Sequence, residues 1–265
     1  MTKVDVFESE APGEAGQIDE LLKTARTRIA AHLYPIKRPS AGVGITPTPL
    51  GSLLVAEGPR GLLMIRYLAP GEAAKAIGMM REKFDPVEDQ SVADRVGCEV
   101  GSYLGGDQSA LRSKIDLALV KSDFHRAALR CLCEVPIGAL ITYGALADQA
   151  RAPGAQRAIG NAMGANLLPI YVPCHRVICA DGFVGNYTGG AERKLKLLRA
   201  EGFDKFDARM HVTKESLLGH RKTFIYCRQD CHAASRANPL NAMIFADASH
   251  ARASGLRPCR LCHPE

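Results

Sequence analysis

Residues 142–178 read TYGALADQARAPGAQRAIGNAMGANLLPIYVPCHRVI, and the organisation of the chain is decided within them. Thr142 is a candidate N-cap for a short helix, YGALADQA, because its hydroxyl can accept an unpaired N–H of the first turn. RAPG makes a turn into a second helix, AQRAIGNAMGA, and two short helices joined in this way form a helix-turn-helix pattern. The second helix carries Ala155, Ala158, Gly160, Ala162, Gly164 and Ala165, with Arg157 as its only charge. Glycine costs roughly 1 kcal/mol relative to alanine inside a helix. Such a density of small residues implies a very close neighbour, either another helix or a nucleic-acid groove.

Directly downstream, Cys174 lies between Pro173 and the pair His175–Arg176. A thiol attacks as its thiolate, and an ordinary thiol with pKa ~8.5 needs a base or a positive field to form it. His175 is adjacent, but neighbours on an extended segment point to opposite sides. A half-buried cysteine at a strand end and a nucleophile activated through a water both fit.

Working outward, Phe124, Ala127, Ala128, Cys131 and Leu132 have the spacing of a one-faced helix that begins at Asp123 and ends through Pro136 and Gly138. GSLLVAEG and GLLMIRYL, separated by the turn-forming PRG, predict a hairpin. GEAAKAIGMMREKF predicts a helix and SKIDLALV a strand, so residues 46–120 predict a small α+β unit. Residues 1–45 form an N-terminal extension, with helical spacing in DELLKTARTRIAAHL and a linker in SAGVGITPTP.

The chain has 265 residues, 46% hydrophobic and 23% charged, the composition of a soluble globular protein. No run approaches the roughly 20 apolar residues of a membrane span. The acidic N-terminus lacks the apolar core of a signal peptide, so a cytoplasmic location without membrane association is expected. The net charge of +6 favours a polyanionic partner. Nine cysteines, several closely paired, suggest metal or catalytic thiols in a reducing compartment.

Residues 204–265 hold ten Lys and Arg against six Asp and Glu, together with Cys227-x-x-x-Cys231 and Cys259-x-x-Cys262. Two short-spaced pairs supply the four thiolates of a tetrahedral zinc site. A segment this short could draw much of its stability from the metal. Cys98, Cys131, Cys133 and Cys179 are assigned no role.

PCHRV, GNYTGG and the upstream RAIGNAM closely resemble the O6-alkylguanine-DNA alkyltransferases, over about residues 46–203. The resemblance implies an α+β protein. A ribonuclease-H-like domain (46–120) would precede a winged-helix-like, helix-turn-helix alkyltransferase domain (121–203). It implies suicide repair of double-stranded DNA, with Cys174 taking the alkyl group from O6-alkylguanine and from O4-methylthymine. No organic cofactor is needed, because the lesion is the electrophile. His175 would deprotonate the thiol through a water, oriented by Glu201. Tyr143 would donate to the departing base, and Asn166 would hold the active-site loop. Tyr187, Thr188 and Pro169 would line the pocket. Arg157 would fill the space of the flipped base, with Ala158 and Gly160 close against the minor groove.

FIYCRQDC and GLRPCRLC are similar to the zinc domain of Ada-type proteins. This similarity implies a small α+β domain (204–265) in which Cys227, Cys231, Cys259 and Cys262 bind zinc. It also implies a second methyl acceptor, Cys227, for DNA methyl phosphotriesters. A monomer is expected. The alternative class is a methylation-responsive DNA-binding regulator or damage sensor built around the zinc module. A cysteine hydrolase would need an oxyanion hole that the sequence does not reveal.

Overall fold

Close packing explains the glycines of SAGVGITPTP. The computed structural model describes residues 38–69 and 71–265, and in it Ser40–Thr46, expected as linker, is strand β1. β1 pairs antiparallel with β2 (Leu53–Gly58), which forms the expected hairpin with β3 (Gly61–Tyr67). Helix α1 (Glu72–Met80) leads to β4 (Asp85–Glu88), parallel to β1, so the sheet order is β3-β2-β1-β4. Helix α2 (Gln90–Leu104) begins at Asp89, whose side chain caps Ser91 N, and buries Val92, Ala93, Val96 and Val100. A Cβ on Gly44 would stand 2.8 Å from Ala93 Cβ, and one on Gly42 3.0 Å from Asp89 Cβ. The glycines let α2 lie directly on β1; they do not mark a flexible segment.

SKIDLALV also departs from expectation. In place of a strand it makes one bridge, Ile115 with Leu62, and then a 3-10 turn, Leu117–Leu119. The Asp116 carboxylate accepts from Ala118 N and pairs with Arg60, and this local cap competes with extension of the chain. The helix expected in residues 19–33 lies outside the described residues.

The helical half follows the sequence pattern closely. Helix α3 (Asp123–Cys133) buries Ala128, Leu129 and Leu132. Strand β5 (Ala139–Thr142) ends in the predicted cap, with Thr142 Oγ1 accepting from Ala145 N at 3.1 Å. Helices α4 (Tyr143–Gln149) and α5 (Gln156–Gly164) are the expected pair, and α5 packs inward through Ile159, Ala162 and Met163. Strand β6 (Val177–Ile178) and helix α6 (Ala191–Ala200) complete this part.

The remaining elements are β7 (Leu217–His220), β8 (Ile225–Arg228), α7 (His232–Ser235), β9 (Ala242–Phe245), α8 (Ala248–Ala253) and β10 (Arg257–Pro258). They join the helical half in one sheet of order β10-β8-β7-β9-β5-β6. β9 pairs antiparallel with β5 through Ala139–Phe245 and Leu140–Ile244, while β5 pairs in parallel with β6 through Ile141–Val177 and Thr142–Ile178. The sheet therefore crosses residue 203, and Pro39–Glu265 forms one contact unit. The fold is α+β. Among the described residues, no helix is long and apolar enough to cross a membrane.

Candidate active site and metal centre

Cys174 opens a 3-10 turn, Cys174–Arg176, where an extended segment was expected. The turn brings two consecutive side chains to one carboxylate. His175 Nε2 lies 2.5 Å from Glu201 Oε1, and Arg176 donates from Nε to Glu201 Oε2 at 2.8 Å and from Nη2 to Oε1 at 3.0 Å. The Tyr103 hydroxyl at the end of α2 also donates to Glu201. Glu201 itself caps α6 ahead of a Schellman turn. Gly202 has φ 80° and donates to Arg199 O, and Phe203 N donates to Leu198 O.

Burial alone would push the Glu201 carboxyl up. The hydrogen bond from His175 and the charge and hydrogen bonds of Arg176 outweigh it and hold the group at about 2, so it is ionised. Burial lowers the pKa of His175 against the opposing pull of Glu201, and the ring rests neutral. With Nε2 held by Glu201, its Nδ1 has no protein hydrogen bond. Burial also pushes the Cys174 thiol up, opposed by a hydrogen bond from Asn166 and by the charge of Lys194. The resting pair is a neutral thiol and a neutral imidazole.

Asn166 Nδ2 donates to Cys174 Sγ at 3.1 Å and to Val172 O at 3.0 Å, while its Oδ1 accepts from Leu168 N at 3.0 Å. One amide thus ties both ends of the LLPIYV loop to the thiol. β3 pins the same loop, with Ile65 N donating to Leu167 O at 2.7 Å. Tyr187 lines a pocket with the thiol, and its hydroxyl lies 3.1 Å from that of Tyr67 on β3. Arg193 covers the Tyr67 ring at 4.7 Å.

Cys174 is only 6% exposed, yet it meets two pockets. One, of about 270 Å³, is lined by Tyr143, Gly160, Met163, Gly164, Tyr187 and Thr188 with the thiol. The other, of about 260 Å³, brings Pro169, Asn166 and Thr188 together with Arg66 and Tyr67 of β3. Arg157 is exposed at the start of α5, so it is not gathered into either pocket. A Cβ added at Gly160 or Gly164 would meet nothing within 4 Å. Protein packing therefore does not account for these two glycines.

Four participants escaped the sequence reading: Tyr103, Arg176, Lys194 and Tyr67. Lys194 is fully buried, donates to Val177 O at 2.6 Å and to Val184 O, and is lowered by burial to about 8. It precedes the buried Leu197 and Leu198 by three and four residues, so a lysine on the apolar face of a helix was the available signal. Tyr103 and Tyr67 lie 98 and 120 residues from their partners and left no local signal.

The C-terminal cysteines do converge. Cys227 on β8, Cys231 at the start of α7, Cys259 and Cys262 place their sulfurs within 4.8 Å of one another. Backbone N–H groups of Leu261 and Cys262 lower the Cys259 thiol to about 7. Four soft donors at this separation fit a tetrahedral zinc ion. Zinc there would keep the thiolates deprotonated and crosslink β8 to the end of the chain.

Comparison with known proteins adds independent findings. A family profile described as "6-O-methylguanine DNA methyltransferase, DNA binding domain" matches residues 123–203. One described as "Metal binding domain of Ada" matches residues 207–265. The methylated-DNA–protein-cysteine methyltransferase of Mycobacterium leprae is 32% identical over 160 residues, covering 58% of this chain and 88% of the relative. The chain belongs to this family. The Mycolicibacterium paratuberculosis methyltransferase is 43% identical over 103 residues, 39% of this chain. That match spans 61% of the relative's length. A crystal structure of a Mycobacterium tuberculosis OGT variant superposes with a TM-score of 0.50 at 30% identity, covering 63% of this chain and 96% of that one. The methyltransferase family thus accounts for the part bearing Cys174, and the Ada profile for the four-cysteine part.

Proposed function

We propose that the protein repairs double-stranded DNA by moving the alkyl group of O6-alkylguanine, and of O4-methylthymine, onto Cys174, once per molecule. The observation that carries this reading is the buried thiol on a pocket shared with Tyr143 and Tyr187, backed by His175 and an ionised Glu201. The sulfur forms a bond to the alkyl carbon as the carbon–O6 bond breaks, and the bonding pair passes to the base. The thiol proton goes to His175 Nδ1 through a water, with Glu201 stabilising the imidazolium. Tyr143 donates to the base so that guanine leaves neutral. Lys194 adds a fixed positive charge that favours the thiolate while it lasts.

The target atom is inside the duplex, so the nucleotide has to turn out of the stack. Arg157 takes its place, and Gly160 and Gly164, which no protein atom crowds, allow the groove to close on α5. On this reading β1–β4 with α1 and α2 form the ribonuclease-H-like scaffold. Helices α4 and α5 form the helix-turn-helix of a winged-helix-like unit. Arg157→Ala slows transfer from duplex by roughly 10–100-fold, the loss of a few kcal/mol of help with unstacking. Transfer from a single-stranded oligonucleotide changes much less, and an equal loss on both substrates would remove Arg157 from this role.

The function is tested with two duplexes, one carrying O6-methylguanine and one a methyl phosphotriester, followed by peptide mass spectrometry. A methyl group on the Cys174 peptide from the first duplex is expected. Its absence refutes the reading. Methylation of the Cys227 peptide from the second duplex would make the zinc module a second acceptor.

A further inference from the structure

The C-terminal module occupies a place that the alkyltransferase chemistry depends on. β5 has one neighbour on each side. Its first two residues, Ala139 and Leu140, pair with β9 of the module. Its last two, Ile141 and Thr142, pair with β6, which continues directly from Cys174–Arg176. Tyr143 follows β5 without a break. Without β9, the strand that carries Tyr143 would be a two-residue pairing at the edge of a sheet.

The contact is also a shared core. Leu140, Ile178, Leu198, Phe203 and Ala246 form one buried cluster, in which Ala246 comes from the module. Leu198 and Phe203 are the two ends of the turn that presents Glu201. Beside it lies His250, on α8, with 18% of its side chain exposed. A Cβ on Gly138 would fall 2.0 Å from His250 Cδ2, and a Cβ on Gly202 2.9 Å from His250 Cε1. Both glycines have positive φ, 71° and 80°. The ring therefore lies between the backbone that starts β5 and the backbone that follows Glu201. Asp247 holds the ring, with Oδ1 3.0 Å from His250 Nδ1 and accepting from His250 N at 3.0 Å. Ala246 N closes the contact by donating to Gly138 O at 2.9 Å. Nearby, Leu240 lies 3.3 Å from the place a Cβ would take on Gly144, beside Tyr143.

The geometry points to His250 as a positioning residue for the Cys174 site: its ring spaces β5 from the Glu201 turn, so the zinc module is a working part of the guanine-repair centre. The inference rests on the reading of Cys174 as acceptor. The reason is mechanical. Catalytic groups need placement to a fraction of an ångström, and here a module side chain packs against the backbone ahead of β5 and the backbone that follows Glu201. None of these His250 contacts involves the four cysteines, so the effect is separable from metal binding as such.

The test uses the full-length, zinc-loaded protein. His250→Ala is expected to slow single-turnover methyl transfer to Cys174 by about tenfold, the scale of a small misplacement of reacting groups. The rate of Cys174 carboxamidomethylation by iodoacetamide, followed from pH 6 to 10 by peptide mass spectrometry, shifts to higher pH, because a loosened Glu201–His175 pair takes the proton less well. Zinc content remains one per chain. His250→Phe, which refills the space between Gly138 and Gly202, restores most of the rate. Transfer and a labelling profile within twofold of wild type in His250→Ala overturn the inference, as does a His250→Phe protein no better than the alanine variant. If His250→Ala does not fold, His250→Val replaces it, since it leaves part of the space between Gly138 and Gly202 empty while keeping an apolar side chain. Wild-type rate and pH profile in His250→Val overturn the inference equally. A wild-type protein that takes up no methyl group refutes the proposed function instead, and the iodoacetamide profiles still decide the coupling.

Discussion

Cys174→Ala is expected to abolish alkyl uptake from O6-methylguanine duplex, a loss of more than ~10⁴-fold, because no other group can form the new bond. The neighbouring thiol does not substitute. Cys179 is five residues on, half-buried, and pushed up by its own burial and by Asp181. The variant still folds, since Asn166 keeps Val172 O and Leu168 N as partners when the thiol is gone. Duplex binding, measured by fluorescence anisotropy, stays within about threefold, because phosphate contacts carry most non-specific affinity. Cys174→Ser gives the same null result in transfer, as a hydroxyl at neutral pH is a far weaker nucleophile than a thiolate. Residual single-turnover transfer by either variant would place the acceptor elsewhere in the chain.

Glu201→Gln is expected to cost both chemistry and stability. The carboxylate accepts from His175, Arg176 and Tyr103 and is fully buried. An amide keeps one oxygen but turns an N–H₂ group toward donors, and it leaves the Arg176 guanidinium without its counter-ion. Breaking a buried pair in this way costs about 3–5 kcal/mol, readable in urea titrations. Transfer slows by roughly 10²–10³-fold, as His175 loses the charge that stabilises its protonated form. The pH dependence has a definite sign. The folded carboxyl is held at about 2, below its ordinary value of 4.5. Its contribution is therefore present in full above pH ~4.5 and fades as pH falls toward 2. The stability gap between wild type and Glu201→Gln should narrow over that window. A gap that widens toward acid would contradict the ionised state assigned to Glu201.

How much could be read without coordinates depended on how local the cause was. Thr142 as a cap, the α4–α5 pair and the β2–β3 hairpin follow from signals within a few residues of each other, and all three are present. The four C-terminal cysteines were legible because ligand spacing is a short-range property, and they converge as expected. The errors were of one kind. SAGVGITPTP looked like linker because glycine is permissive, whereas Gly42 and Gly44 are small to admit α2. SKIDLALV looked like a strand from its apolar content, whereas Asp116 caps a turn. An extended backbone would turn His175 and Cys174 to opposite sides, whereas the 3-10 turn gives His175 a different aim.

The sequence by itself determined the family and the metal-ligand set, because each is carried by short motifs whose chemistry depends on residue type and spacing, while Glu201 as partner of His175 was implied by the family resemblance alone. Tertiary structure decided what surrounds them. It put Tyr103 and Arg176 on Glu201, Lys194 and Tyr187 beside Cys174, and Tyr67 behind Tyr187. It also fused the zinc module to β5, with His250 between Gly138 and Gly202. These contacts join residues tens to more than a hundred positions apart. Only burial in a common core brings such groups together, and neither residue type nor local periodicity encodes that pairing.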